Sequence, residues 1–470
     1  MADLRITHVS VLLEDGTILK DQNVDVTDGR FSGIAPAEKD FSESAACAAA
    51  SLATNENGSG QAGYSPASSS QASSSQNLAV SDTPANLLNG RGKLLMPGLA
   101  DCHMHTGQQL LKGRVLDELP MIWTRIMLPF ESTLTPETMR LSAELAALEM
   151  IRSGTTAFID AGSYYMKEAV KVYRASGLRG VLSLSTMDEK GLPASIATTA
   201  EEAVRLADDF YEFCKDDPRL KPAYALRSLI SCSEPLIQQT SEHANERQAL
   251  LQAHMNEYAG EVNFFLQRVQ MRPYEYLDSL GVLNDRFIGA HSLMLSEHEK
   301  ALLSDRDVKV CHCPFSNCGK GVPDTPALLE QGICVGLGTD GAAHGGLSLW
   351  NEMKIFRSVM NAKHGVAQGN PSIMPAKQIL SMATKDGYRL MQEDSGVIAV
   401  GKKADFITIN LRQPHLYPTG NLVNTLLECV TAADVCDMAV DGQLLMKNRE
   451  VLTLDEERIL DDAERYLKER

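Results

Sequence analysis

Short runs of apolar residues alternate with segments of helical periodicity through the central part of the chain, from residue 97 to about 390. A regular alternation of strand and helix predicts parallel βα units. Eight apolar runs are found there, the number that a closed (β/α)8 barrel requires; they lie at residues 98–103, 155–160, 180–186, 222–230, 249–254, 286–291, 307–312 and 333–339. The pattern therefore predicts an α/β fold with a TIM-like barrel.

Both ends of the chain carry a different pattern. Apolar and polar positions alternate there, with turn residues between the runs, which predicts strands joined by hairpins in residues 4–34, 404–410 and 437–445. We predict that residues 1–96 and 391–470 together form one small composite β-sandwich beside a barrel of residues 97–390. An amphipathic helix is predicted at residues 454–470.

Residues 38–87 interrupt the first part of the small domain. The stretch is rich in Ala, Ser, Asn and Gly and contains the run Ser68–Gln76, in which only serine, glutamine and one alanine occur. Such a composition has too little apolar surface to form a packed core. We interpret it as a disordered or loosely packed insertion, with a lid or a partner tether as the alternative, and its composition suggests no chemistry.

Charge and cysteine usage exclude several classes of protein. The chain has 44 basic and 61 acidic residues, a formal net charge of −17, which argues against a nucleic-acid surface and gives no support to binding at anionic membranes. No window approaches the length of a membrane span, and the first residues lack the pattern of a signal peptide. Ten cysteines do not make a disulfide scaffold, so we expect a cytoplasmic protein, with a homo-oligomer left open.

Residues that can bind a metal follow four of the predicted strands. His103 and His105 end the first of these strands, and alternate residues of a strand point to the same side. His254, His291 and Asp340 end later strands, whose carboxyl ends meet at one mouth of such a barrel. Each histidine alone is equally well explained as a buried or capped residue, but the whole set indicates a metal site.

These residues and several motifs resemble the amidohydrolase superfamily. Within it, the chain is similar to the branch that contains 5-methylthioadenosine/S-adenosylhomocysteine deaminases and s-triazine hydrolases. The resemblance extends from about Leu94 to the C-terminal segment and is carried by Ala253-His-Met-Asn-Glu257, Gly289-Ala-His291, Gly338-Thr-Asp-Gly-Ala-Ala343, Leu128-Pro-Phe-Glu131, Cys313-Pro-Phe-Ser-Asn317, Asn351-Glu-Met353 and Gly401-Lys-Lys-Ala-Asp405.

The resemblance implies a set of metal ligands: His103, His105, His254 and Asp340. No lysine occupies a strand position that matches the bridging lysine of the dinuclear branches, so one divalent ion is expected. Zinc is the expected ion, and iron(II) is the alternative that the ligand types allow.

Three residues are implied to carry the chemistry. Glu257 is expected to take a proton from the attacking water and deliver it to a ring nitrogen of the substrate. His291 is expected to lie beside the metal and hold the attacking oxygen, and Asp340 to accept a proton that later leaves with ammonia.

The substrate contacts follow the family less closely. Glu131 matches a ribose-binding glutamate of the family, and Trp123 is a candidate for the pocket lining. Ser233 stands where the deaminases have a histidine, and Leu184 where they have an arginine. These two departures make the reaction class a firmer expectation than the substrate.

The sequence thus predicts a metal-dependent hydrolytic deaminase of an aminated heterocycle. The expected substrate is a small molecule: an adenosine-like nucleoside or a related purine, pterin or pyrimidine. A hydrolase of s-triazines or cyclic amidines at the same metal is the alternative enzyme. A non-catalytic barrel scaffold is a third alternative, but relatives of that kind usually lose metal ligands, and here the set is complete.

Overall fold

The structure is a computed structural model that describes residues 3–37, 86–118 and 122–469. The predicted insertion at 38–87 lies outside the described residues, except for its last two positions, which begin a strand. Among the described helices, none combines the length and the apolar character that crossing a membrane requires.

Strands make up the two sheets of the described chain. Numbered β1 to β17 in chain order, they are Leu4–Leu12, Ile18–Thr27, Arg30–Pro36, Asn86–Asn89, Lys93–Pro97, Leu99–Met104, Thr155–Asp160, Arg179–Thr186, Leu220–Leu226, Leu251–Met255, Phe287–His291, Lys309–His312, Val335–Leu337, Phe406–Asn410, Val435–Val440, Gln443–Lys447 and Glu450–Val451.

Helices connect the strands. The α-helices of the described residues are Leu128–Glu131, Pro136–Ser153, Met166–Ser176, Ala200–Cys214, Glu234–Glu246, Ala259–Val269, Pro273–Ser279, Glu297–Asp305, Pro314–Asn317, Thr325–Glu330, Leu349–Met360, Val366–Gln368, Ala376–Met382, Lys385–Leu390, Leu422–Glu428 and Glu456–Lys468. Short 3₁₀ or π segments lie at Thr106–Leu111, Trp123–Met127, Leu229–Ser231, Ala342–His344, Asn361–Gly365, Pro414–Leu416 and Ala432–Asp434.

Helix Pro136–Ser153 illustrates how local sequence sets the boundaries of these helices. Thr135 precedes it and accepts a hydrogen bond from the amide of Thr138, while Pro136 occupies a first-turn position that needs no amide proton. The helix ends at Gly154, whose φ of 85° lies in the left-handed region that glycine adopts without strain. It continues directly into β7, so the chain returns to the barrel within one residue.

The predicted barrel is confirmed. Strands β6 to β13 pair in parallel in chain order, and each overlaps one of the eight predicted runs. The first and last strands approach each other where the amides of Thr339 and Asp340 donate to the carbonyl of His103, at 3.1 and 2.9 Å. Gly338 permits this approach, because a Cβ there would lie 2.7 Å from the backbone nitrogen of His103.

The two ends of the chain build one further sheet. Its strands follow the order β17-β16-β15-β14-β5-β1-β2-β3, and β4 also pairs with β1. Strand β14 from the C-terminal part pairs antiparallel with β5 from the N-terminal part, so the predicted combination of both ends is present. The predicted hairpins β1–β2 and β2–β3 are confirmed, and the predicted terminal helix is Glu456–Lys468.

Arg179 connects the barrel to this sheet. It begins β8 and is 1% exposed. Its Nε and Nη2 donate to the two carboxylate oxygens of Asp405, at 2.7 and 3.1 Å, and Nη2 also donates to Asp441 at 2.5 Å. Because the partners flank β14 and β15, one guanidinium group holds the amino-terminal side of the barrel against the end sheet.

Replacing Arg179 with alanine is expected to destabilise the protein by about 3–5 kcal/mol, since the buried carboxylate of Asp405 would lose its counter-charge. The shift in the midpoint of urea unfolding measures this change. Arg205→Ala is the matched control, because Arg205 pairs only with exposed acids, and its loss should leave the midpoint nearly unchanged. Equal midpoints for the two variants would contradict the structural role of Arg179.

Candidate metal centre

The barrel brings four predicted metal ligands to one point. His103 and His105 lie at the end of β6, His254 lies on β10, and Asp340 follows β13. Their ligand atoms lie within 4.8 Å of one another. The Nε2 atoms of His105 and His254 are 3.1 Å apart, and Oδ1 of Asp340 lies 3.4 Å from Nε2 of both His103 and His105.

The donor atoms of this cluster fit a divalent metal ion. Both ring nitrogens of His103 and Nδ1 of His105 are buried and have no hydrogen-bond partner among the described residues, which is costly for polar atoms that bind nothing. Burial lowers the pKa of His105 to about 4 and the pKa of His254 well below its ordinary value. The imidazoles of His105 and His254 are therefore neutral, the form that binds metal, and three imidazoles with one carboxylate suit zinc.

Asp101 hydrogen-bonds to the two chain segments that carry His103 and Asp340. Its carboxylate accepts from the amide of His103 at 3.2 Å and from the amide and hydroxyl of Thr339 at 3.1 and 2.7 Å. Burial raises the pKa of Asp101 to about 7. The residue thus connects the ends of β6 and β13, on which His103 and Asp340 are carried.

His291 and Glu257 lie next to the cluster. Nε2 of His291 is 3.8 Å from Oε1 of Glu257, and the ligand atoms of these two residues and Asp340 lie within 4.8 Å of one another. Nδ1 of His291 donates to the side-chain oxygen of Asn317 at 3.0 Å. In the neutral ring, Nε2 is then an acceptor that faces Glu257.

The backbone is strained where two of these side chains leave their strands. The φ angles of His291 and Asp340 are 69° and 59°, in the left-handed region that residues other than glycine rarely adopt. Such conformations persist where the surrounding structure holds them, and they concentrate at functional sites. In this conformation the side chains of His291 and Asp340 lie close to each other and to Glu257.

Lys320 is a member of the site that the sequence did not reveal. Its ammonium group donates to Oε1 of Glu257 at 2.5 Å and to Oγ of Ser316 at 2.6 Å, and Ser316 donates to Asp340 at 2.5 Å. Burial alone would raise the pKa of Glu257, but His291, when its ring is protonated, and the charge of Lys320 reverse this and hold the pKa below its ordinary value. Glu257 is therefore a carboxylate, as an acceptor of protons must be.

A cavity of about 350 Å³ adjoins the cluster. Its lining includes His105, His254, Glu257 and Asp340, together with an apolar wall made of Ile122, Trp123, Met127, Ile230 and Phe264. The indole nitrogen of Trp123, a predicted substrate contact, is buried without a hydrogen-bond partner among the described residues. We call this space the metal cavity.

Glu131, predicted as a ribose contact, is already fully hydrogen-bonded. Its two oxygens accept from Gln108 at 2.8 Å, from Ser163 at 3.0 Å and from both terminal nitrogens of Arg227 at 2.9 and 3.2 Å. Gln108 and Arg227 line the metal cavity. Gln108 could have been found from sequence, because it is a polar residue close behind the end of a predicted strand, whereas Arg227 lies inside the run predicted as a strand at 222–230.

Ser233, the other predicted substrate contact, caps a helix. Its hydroxyl accepts from the amide of Leu236 at 3.3 Å and donates to the carboxylate of Asp188 at 2.5 Å. The described lining of the metal cavity does not include it. The structure therefore places Ser233 at the start of helix Glu234–Glu246 and not against the cluster of ligands.

Comparison with known proteins agrees with this arrangement. Residues 94–446 match the model of a family described as "Amidohydrolase family". The chain is 34% identical over 388 residues to a 5′-deoxyadenosine deaminase of Methanothermobacter thermautotrophicus, covering 80% of this chain and 88% of that one. It is 32% identical over 390 residues to a 5-methylthioadenosine/S-adenosylhomocysteine deaminase of Dictyoglomus thermophilum, covering 81% and 88%.

Solved structures share the fold. An adenosine deaminase from Xanthomonas campestris, solved with bound zinc, superposes with a TM-score of 0.84 at 25% identity and covers 100% of this chain and 98% of its own. An atrazine chlorohydrolase from Arthrobacter aurescens, solved with zinc, superposes with a TM-score of 0.81 at 19% identity, covering 98% and 99%. At 19% identity, the similarity to the atrazine chlorohydrolase shows a shared fold only.

Proposed function

The chain belongs to the amidohydrolase family and is a hydrolase that acts on carbon–nitrogen bonds. On this basis we propose that it uses water to remove the amino group of an aminated heterocycle and releases ammonia. One observation carries the proposal. A buried cluster of three histidines and one carboxylate lies next to Glu257 and His291, and a cavity with an apolar wall adjoins all of them. The apolar wall suits a flat ring, and the polar cluster suits its amino-bearing carbon.

Zinc is the proposed ion, and His103, His105, His254 and Asp340 would hold it. When bound, a divalent ion of this kind supplies Lewis acidity that makes water a nucleophile near neutral pH. The neutral state of His105 and His254 and the unpartnered nitrogens of His103 support this assignment.

Glu257 is the proposed proton carrier. As water adds to the ring carbon, the Glu257 carboxylate takes one proton and delivers it to the neighbouring ring nitrogen. The Nε2 atom of His291 accepts a hydrogen bond from the water and orients it. Asp340 accepts the second proton and passes it to the amino group, which leaves as ammonia and leaves a ring carbonyl behind.

Lys320 is proposed to position the carboxylate of Glu257. Its contacts with Glu257 and Ser316 fix the carboxylate of Glu257 on the side of the cluster that faces His291. Burial opposes the charge on Lys320, but the carboxylates of Glu257 and Asp340 outweigh it and keep its pKa above the ordinary value. The ammonium group is therefore permanently charged and cannot itself accept the proton.

The proposed substrate is an adenosine-like nucleoside, of the 5′-deoxyadenosine or methylthioadenosine type that the relatives' names give, or a related purine, pterin or pyrimidine. Ammonia release from adenosine, methylthioadenosine, S-adenosylhomocysteine, guanine, cytosine and a pterin, measured with zinc-loaded protein, tests the proposal. We expect ammonia from at least one compound, with an equal amount of the deaminated ring. If zinc-loaded protein released ammonia from none of these compounds, the proposal would be contradicted.

Glu131→Gln is expected to raise KM about tenfold for a nucleoside and for its free base alike. The neutral amide cannot balance the charge of Arg227, and its NH2 group replaces one of the two oxygens that accept from Gln108 and Arg227, so the wall of the metal cavity loses part of its anchor. Steady-state kinetics on adenosine and adenine measure the effect. Glu118→Gln, at an exposed acid, is the control, and a rise confined to the nucleoside would instead assign Glu131 to the ribose.

A further inference from the structure

A cavity of about 10 Å³ adjoins the end of β12 and the helices Pro314–Asn317 and Leu349–Met360. We call it the small cavity. Two polar side chains, His312 and Asn317, belong to its described lining, whose other side chains are apolar apart from the thiol of Cys318. None of its described lining residues also lines the metal cavity. A closed space of this volume holds one water molecule and little else.

His312 offers a hydrogen-bond acceptor at the small cavity. The residue is 0% exposed, and its Nδ1 lies 2.8 Å from the backbone carbonyl oxygen of His291. Because a carbonyl oxygen only accepts, Nδ1 carries the hydrogen. Burial lowers the pKa of His312 to about 4, so the ring is neutral and its Nε2 is an acceptor. That atom is buried without a hydrogen-bond partner among the described residues.

Asn317 offers a hydrogen-bond donor at the same place. It is 2% exposed, and its Oδ1 accepts from Nδ1 of His291 at 3.0 Å. Its amide nitrogen, Nδ2, is buried and has no partner within the part of the chain that the structure describes. Polar atoms at this depth nearly always have a partner. One donor and one acceptor, both unpaired, thus border a cavity of the size of a water molecule.

We propose that one buried water molecule in the small cavity bridges Asn317 and His312, and that His312 is thereby a positioning residue for His291. The water accepts from Nδ2 of Asn317 and donates to Nε2 of His312. The inference rests on the proposed function, in which Nε2 of His291 accepts from the attacking water. It adds the means by which that state of the ring is maintained.

The bridging water gives the hydrogen bonds around His291 a single direction. His291 donates from Nδ1 to Asn317, and Asn317 donates to the water. The water donates to His312, which donates back to the carbonyl of His291. Hydrogen bonds in such a chain polarise and strengthen one another. If the amide of Asn317 were turned over, the water would donate twice and this direction would be lost. The bridge therefore favours the form of His291 with its hydrogen on Nδ1 and an acceptor at Nε2.

A crystal structure of the zinc-loaded full chain tests the water directly. We expect one ordered water at about 2.7–3.2 Å from both Nε2 of His312 and Nδ2 of Asn317. A small cavity without electron density for water would overturn the proposal. The measurement needs neither a substrate nor a variant, so its result does not depend on whether the protein releases ammonia.

Nitrogen-15 NMR of protein labelled in its histidine rings tests the positioning role. The hydrogen of His291 should lie on Nδ1, in a signal that is assigned by its loss from His291→Asn protein. His312→Phe keeps a ring but removes the acceptor, so both tautomers of His291 should appear, and kcat should fall about fivefold at unchanged zinc content. Met360→Leu is the matched control, because Met360 lines the same cavity without a hydrogen-bonding group. It should keep one tautomer and the full kcat.

Two NMR results would overturn the positioning role. A hydrogen on Nε2 of His291 in the unmodified protein would reverse the direction of the hydrogen bonds. A single Nδ1 tautomer in His312→Phe protein would show that His312 does not select it. If that variant does not fold, the crystal structure and the spectrum of the unmodified protein decide the question. Ammonia release without the water contradicts this inference alone, whereas water and tautomer in a protein inactive on the whole panel support it and contradict the proposed deamination alone.

Discussion

Glu257→Gln protein is expected to keep its metal and to lose about 10²–10⁴-fold in kcat, the contribution that general acid–base catalysis typically makes. The amide has nearly the shape of the carboxylate but cannot take a proton from water. It can still accept from Lys320, whose ammonium group lies 2.5 Å from Oε1, so the packing of the site is retained. Zinc content by atomic absorption and steady-state turnover of the substrate found in the panel measure the two effects separately.

Glu189→Gln is the matched control for this variant, because Glu189 contacts Arg268 at the surface and should leave kcat unchanged. Turnover near the level of the unmodified protein would contradict the role assigned to Glu257. Loss of zinc together with turnover would show that Glu257 acts on the binding of the metal and not on the proton.

His254→Ala protein is expected to lose both its metal and its turnover. Mutating a residue that only hydrogen-bonds to a metal ligand already costs about 10–100-fold in metal affinity. His254 itself supplies one of the four donor atoms of the cluster, so its loss should cost more. An ion that binds only the folded chain stabilises it by about 2.7 kcal/mol at a hundredfold excess over its dissociation constant. Added zinc should therefore raise the thermal midpoint of the unmodified protein and not that of the variant.

His298→Ala is the control for the metal experiment, since His298 is an exposed histidine paired with Glu275. It should keep its zinc content, its turnover and the zinc-dependent shift of the midpoint. A normal zinc content in His254→Ala protein would contradict the ligand set, whichever substrate the enzyme uses.

The barrel and its metal cluster were predictable because their signals are local. A buried parallel strand appears in the sequence as a continuous apolar run, and the residue that ends it is directed to the mouth of the barrel. For this reason His254 and Asp340 could be placed beside His103 without any contact being known. The strand predicted at 222–230 is shorter in the structure, because the chain leaves the sheet after Leu226.

The rest of the site depends on side-chain contacts between distant segments, which no local pattern encodes. The ion pair of Glu131 and Arg227 joins residues 96 positions apart, and Lys320 contacts Glu257 across 63 positions. Ser233 is a different case: it caps a helix in the structure, and its contact with a substrate stays a prediction. Motif matching identified the residue but not the direction of its side chain.

The contacts between β6 and β13 couple the ion site to closure of the barrel. Asp101 and Thr339, which are 238 positions apart, meet at the same place as His103 and Asp340, so the ion site exists only after the last strand has docked on the first. A bound ion would therefore stabilise the closed ring over any state in which β13 has left β6. Hydrogen exchange at the amide of Thr339 should slow when zinc is added, because opening the ring there requires release of the ion.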